Sequence, residues 1–207
     1  MRKRFTIMGA ALLLAVLLAS CGGAGGAAAP ETTLTDAFRQ FLAERKTHPQ
    51  TARVQTEEGI TYALDGGILR ACDAAGAPLW QSQESWYVED FRVGDVDGDG
   101  GADLLLSLWK SYSFGARHPA RMENGDEAVR CHLFLYTLRG GRMKQLWASS
   151  SLPRPILSFE LSFDGEKTPV ASGAVLRTVE GSYGGGFTQG DARAFAYAWE
   201  GWGFVPQ

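Results

Sequence analysis

The chain has little cysteine and little histidine, three of each in 207 residues. His48, His118 and His132 are scattered, with no spacing that would gather them on one metal. Cys131 and His132 are neighbours, and neighbours in a strand point to opposite faces, so they form no dyad. The patterns GxSxG and HExxH are missing, which removes the familiar nucleophile and metalloprotease arrangements. The run Gly181-Ser182-Tyr183-Gly184-Gly185-Gly186 is not followed by a helical pattern and reads as a mobile loop rather than a phosphate cradle. Positive charge is also short, with 20 Lys plus Arg against 23 Asp plus Glu. That balance disfavours a surface for nucleic acid or anionic lipid.

The N-terminus sharpens the charge argument. Arg2, Lys3 and Arg4 precede an apolar run from Ile7 to Ala19, which is too short for a comfortable membrane span. It ends in Leu18-Ala19-Ser20-Cys21, a string that resembles the bacterial lipobox. The resemblance implies that residues 1–20 are a signal peptide and that Cys21 opens the mature chain and carries the lipid. Alternatives are an ordinary signal peptide with a chance cysteine, or a short anchor. A multi-acyl anchor holds well because each buried methylene adds about 0.8 kcal/mol. The expected location is extracytoplasmic, lipid-anchored to a bacterial membrane. In lipoproteins Asp after the cysteine retains the protein at the inner membrane; Gly22 stands here instead, leaving an outer membrane open. Residues 21–33, nearly all Gly, Ala, Pro and Thr after the cysteine, read as a flexible tether. Without residues 1–20 the chain keeps 17 cationic and 23 anionic side chains, a net charge near −6.

About 175 residues remain, enough for one domain with a core. Six Trp, six Tyr and eleven Phe favour β-structure. The segment 34–48 contains one amphipathic helix, 35–46, with Leu34, Phe38, Phe41 and Leu42 on one side and Thr35 or Asp36 as cap. Arg45 and Lys46 suit its C-terminal dipole. Over 51–207 no helical period appears. Strands are expected at 52–56, 60–64, 67–72, 78–82, 86–93, 103–109, 130–138, 143–149, 156–163, 169–176, 193–199 and 202–205. The fold class is all-β with one N-terminal helix.

An internal repeat runs through these strands. Residues 68–82 align with 133–150, placing Trp80 on Trp147 at an offset of 67. The same offset puts Asp164-Gly165 on Asp97-Gly98, with Ser162 in place of Asp95 and Val170 in place of Asp103. A third copy begins where 195–204 resembles 134–143. Each unit opens with a hairpin that ends near Trp or Phe, then a strand pair with the Asp loop between its strands. About two and a half such units fit a propeller-like set of blades, partial or small, or else a sandwich.

One segment carries clear chemistry. Asp95, Asp97, Asp99 and Asp103 occupy positions 1, 3, 5 and 9 of a loop, and the Gly101 carbonyl sits at position 7. Ca²⁺ takes six to eight oxygens at about 2.3–2.6 Å. Four carboxylates so close repel one another without a cation. An EF-hand would place Glu at position 12, where Leu106 stands, and the flanks look like strands rather than helices. The string Val93-Gly94-Asp95-Val96-Asp97-Gly98-Asp99-Gly100 with Ala102-Asp103-Leu104 resembles the calcium loop of FG-GAP repeats, also called VCBS-type repeats. The resemblance covers about 14 residues well and weakens elsewhere. It implies a loop joining two strands of a blade and holding one Ca²⁺ on Asp95, Asp97, Asp99, the Gly101 carbonyl and Asp103. The second copy lacks two of these carboxylates.

Other features are weaker. Residues 110–129 form a polar insertion in which Tyr112, Phe114, Arg117, His118 and Arg121 offer a binding surface. Trp109, Trp199 and Trp202 offer sugar-stacking rings, though such residues more often belong to cores. An oxidising compartment would let Cys72 and Cys131 pair; buried free thiols are the alternative, and their places in different repeat units favour it. With no acid–base or nucleophilic set, the leading expectation is a calcium-stabilised, non-catalytic binding or interaction module, with a protein or glycan ligand. A cell-envelope polysaccharide-acting enzyme and an accessory subunit of an envelope complex are the alternatives.

Overall fold

The computed structural model describes residues 35–46, 50–111, 128–169, 171–184 and 191–207. The signal-peptide, tether and Cys21 readings therefore lie outside the described residues. So do His48, Tyr112, Phe114, Arg117, His118 and Arg121. Among the described residues one helix, α1 (Asp36–Lys46), precedes twelve strands. These are β1 (Arg53–Glu57), β2 (Ile60–Asp65), β3 (Ile68–Cys72), β4 (Pro78–Gln81), β5 (Trp86–Gly94), β6 (Asp103–Lys110), β7 (Arg130–Arg139), β8 (Arg142–Ala148), β9 (Ile156–Ser162), β10 (Val175–Glu180), β11 (Arg193–Trp199) and β12 (Phe204–Pro206). They form three four-stranded antiparallel sheets, β1–β4, β5–β8 and β9–β12, each with its strands in chain order.

The middle sheet is covered on both faces. Leu104 lies opposite Tyr136 and Leu106 opposite Phe134, and all four pack with Tyr62, Leu64 and Leu69 of the first sheet. Leu105 lies opposite Leu135, and both pack with Phe159, Leu176 and Trp199 of the third. A strand buried on both faces has no polar alternation, which explains the continuous run Asp103-Leu104-Leu105-Leu106-Ser107-Leu108-Trp109. Each such leucine stabilises the stack by about 1.5–3 kcal/mol.

Hydrogen bonds join the sheets. The Val88 amide donates to the Gly67 carbonyl at 2.8 Å, and Arg92 Nη2 donates to the Phe159 carbonyl at 2.5 Å. Gly67 has φ +81°, and a Cβ there would fall 2.3 Å from the Tyr87 ring, so only glycine fits. A bulge at Glu89 frees two carbonyls of β5, and the Gln50 amide donates to both, Val88 and Glu89.

Thr35 caps α1, its Oγ1 accepting the Phe38 amide at 3.1 Å. Phe41 packs on Tyr87 and Trp109. Arg45 does more than face the helix dipole. It is 8% exposed, ion-paired with Glu89, and its Cζ lies 5.2 Å from the Phe41 and Tyr87 ring centres. Among the described residues no helix is long and apolar enough to cross a membrane.

The structure changes three expectations. The tenth strand runs Val175–Glu180, not 169–176. Its buried side carries Leu176, Thr178 and Glu180, so polar residues face inward and hide the apolar alternation. Glu180 is satisfied there by Arg193 (3.0 Å) and the Tyr197 hydroxyl (2.6 Å). The hairpins β3–β4, β7–β8 and β11–β12, expected to open units, come last in their sheets, and β1–β2 completes the first sheet. Finally, Cys131 is a free buried thiol, so it forms no bridge with Cys72. The two cysteines lie in different sheets, and Cys131 belongs to the cluster facing the third.

Candidate metal centre

Residues 95–102 join β5 to β6, and they meet three other elements at one end of the stack. The Ala102 amide donates to Glu58 Oε2 (3.3 Å) in the β1–β2 turn. Ser172, in the β9–β10 loop, donates through Oγ to the Val96 carbonyl. Arg139, at the end of β7, reaches Asp99 at 3.1 Å and Asp97 at 3.6 Å. Gly98 is needed twice: its φ is +80°, and a Cβ would stand 3.0 Å from that of Ser172.

The loop folds around its own carboxylates. The Asp99 amide donates to Asp97 Oδ1 (3.0 Å), the Gly101 amide to Asp99 Oδ1 (2.9 Å) and the Gly100 amide to Asp95 Oδ2 (3.2 Å). The first two are Asx turns, which Asp favours in a tight loop, and the third closes the loop across five residues. They bring one oxygen from each of Asp95, Asp97 and Asp99 within 4.8 Å of the others. Two oxygens on opposite sides of one Ca²⁺ are separated by roughly twice the 2.3–2.6 Å bond, so this spread suits a single ion. Among the described residues no other three His, Cys, Asp or Glu side chains gather in this way.

Asp103 stands slightly apart from the three. It is fully buried at the start of β6, and its Oδ2 accepts the Val96 and Asp97 amides at 3.0 and 3.1 Å. It therefore pins the descending limb of the loop. Its Oδ1, like Asp95 Oδ1, is buried with no hydrogen bond of normal geometry, while the Thr137 side chain approaches the Asp103 carboxylate. Burial pushes the Asp103 carboxyl up to about 6 and raises Asp97 as well, while the Gly101 amide lowers Asp99. Two buried carboxylate oxygens without a hydrogen bond are costly unless something positive meets them. The carboxylates of Asp95, Asp97 and Asp99 could hold a metal ion. Gly101 contributes its amide to Asp99, and its carbonyl follows from the sequence position alone.

The second copy is different. Asp164 lies in the loop between β9 and β10, where Arg177 and Ser162 each approach it at 2.8 Å. These bonds hold its carboxyl down to about 2. Its carboxylate has a guanidinium partner within the protein. The contacts that sequence reasoning missed, Glu58 and Arg139, arrive from hairpins far along the chain and leave no local signal beside the Asp motif.

The remaining candidates separate clearly. Trp199 is buried and Trp109 is held by Phe41 with its Nε1 donating to Glu89 (3.0 Å), whereas Trp202 is 70% exposed. His132 faces Phe134 on the side opposite Cys131. Tyr183 of the Gly-rich run is anchored, its hydroxyl donating to the Leu152 carbonyl (2.7 Å) and accepting the Cys131 amide (3.1 Å).

Comparison with known protein families, with curated proteins and with solved structures finds no match for this chain.

Proposed function

We propose that this chain is an extracytoplasmic lipoprotein whose β-sheets act as FG-GAP/VCBS-type blades, one of them locked by Ca²⁺, and serve as a non-catalytic binding or interaction module. The observation that carries the calcium part is the convergence of Asp95, Asp97 and Asp99, where Asp95 Oδ1 and the adjoining Asp103 Oδ1 are buried without a hydrogen bond of normal geometry. Asp103 and the Gly101 carbonyl complete the ligand set. Three anions against one exposed guanidinium, Arg139, leave the site negative, which favours a dication.

Two further observations support the blade reading. The three meanders place equivalent loops, Glu58–Gly59, 95–102 and 163–174, between their first two strands. Trp80 and Trp147 each stand one residue before the end of the last strand of their sheets, and each packs on a ring of the sheet that follows, Tyr136 and Trp199. Three sheets are fewer than the four to eight blades of closed propellers, so the reading is an open, partial propeller. The ion would join β5 to β6 and hold the loop against its neighbours. Its role would be structural, since it would tie together carboxylates of one loop.

Calorimetric titration of the chain with Ca²⁺ tests the ion: one saturable event, absent in Asp97→Ala, is expected. Palmitate labelling tests the anchor. Cys21→Ser should abolish incorporation and release the protein from the membrane fraction; continued labelling of that variant would sink the lipoprotein reading.

A further inference from the structure

We infer that a groove beside the Asp loop binds a neutral carbohydrate, with Trp202 as the stacking platform. This inference rests on the binding-module reading above and names its ligand class. The groove measures about 570 Å³ and lies between the β9–β10 loop and the β11–β12 turn. Its walls include Lys167 and Thr168 on one side and Glu200 and Trp202 on the other, with Asp97 and Gly98 adjoining.

The two tryptophans of Trp199-Glu200-Gly201-Trp202 have opposite fates. Trp199 is 3% exposed and packs on Trp147 and Phe204, with ring centres at 6.0 and 5.3 Å. Trp202, three residues on, faces the groove and the solvent. The turn that carries it is clamped. The Glu200 amide donates to the Gly203 carbonyl at 3.0 Å. Gly203 lies so close to Trp147 that a Cβ would approach the indole Nε1 to 2.8 Å. Trp202 is thus presented by a fixed hairpin rather than left over at a fraying end.

The chemistry around the ring selects the ligand. An indole face takes the apolar C–H face of a pyranose, while its neighbours bond the hydroxyls. The Glu200 carboxylate accepts from hydroxyls, and the Lys167 ammonium donates to them. A phosphate-bearing ligand would set its own negative charge against the Glu200 carboxylate. A quaternary ammonium would want several aromatic walls, and this groove has one.

The test is isothermal titration of the full chain in Ca²⁺ with cellohexaose, maltohexaose and chitohexaose. At least one should bind saturably, Trp202→Ala should weaken that binding tenfold or more, and Trp202→Phe should fall between. Trp202→Ala should melt like the wild type, since the ring is exposed. Absence of binding to all three sugars, or equal binding by Trp202→Ala, overturns the inference. Melting with Ca²⁺ and with chelator, run on the same samples, separates the two readings. A chain stabilised by Ca²⁺ that ignores the sugars loses only the carbohydrate inference. A chain indifferent to Ca²⁺ that binds sugar through Trp202 loses only the calcium reading.

Discussion

Arg177 donates to Asp164 at 2.8 Å, at the place in the third sheet's first loop that the repeat alignment gives to Asp97 in the second sheet's loop. The two loops share a position and solve the same electrostatic problem differently. One neutralises its carboxylate with a fixed guanidinium. The other gathers three carboxylates and leaves buried oxygens without a hydrogen bond of normal geometry.

The first prediction concerns the three-carboxylate loop. Binding to the folded state alone stabilises by about 2.7 kcal/mol when free Ca²⁺ is a hundredfold above Kd. For a domain of this size that corresponds to a Tm shift of roughly 5–10 °C. Wild type should lose that much in chelator, and Asp97→Ala should melt low in both conditions. Thermal melting followed by circular dichroism checks it.

Asp164→Asn makes the matching control. Because Arg177 rather than an ion meets Asp164, the variant should keep the full Ca²⁺-dependent Tm shift. Loss of that shift in the same melting assay would place a second ion in the third sheet's loop.

Cys131 supplies a pH test. Burial pushes its thiol up to about 11. A group whose folded pKa is raised contributes stability that is present below its unfolded pKa, near 8.5–9, and lost as pH rises through the folded value. Two pKa units set the contribution at about 3 kcal/mol. Urea unfolding at pH 8, 9.5 and 11 should show wild type losing stability more steeply than Cys131→Ala. Mass-spectrometric thiol labelling at pH 8 should leave Cys131 unmodified until urea unfolds the chain.

The Arg45–Glu89 pair supplies a folding test. Removing one partner strands the other charge against Phe41, Tyr87 and Trp109. Breaking a buried pair costs about 3–5 kcal/mol, and the partial exposure of Glu89 places Glu89→Ala near the lower end. The double variant Arg45→Met, Glu89→Leu should recover part of the loss. Equilibrium unfolding in urea reads both.

The sequence by itself determined the local elements of this protein. The Asx turns of Asp95–Asp103, the cap at Thr35 and the apolar runs of β5, β6 and β7 depend on residues a few positions apart, so they were legible before any fold was known. Only the tertiary structure decided which side of each element would be covered. Nothing local distinguishes Trp199 from Trp202; the Trp147 ring of the neighbouring sheet does. Thr178 and Glu180 make a buried strand face because Arg193 and Tyr197 on β11 satisfy Glu180. Glu58, Arg139 and Ser172 reach the Asp loop because three hairpins distant in sequence end at the same side of the stack. Such contacts join residues 40 or more positions apart, and the hydrophobic packing of whole sheets, not the residues themselves, sets their geometry.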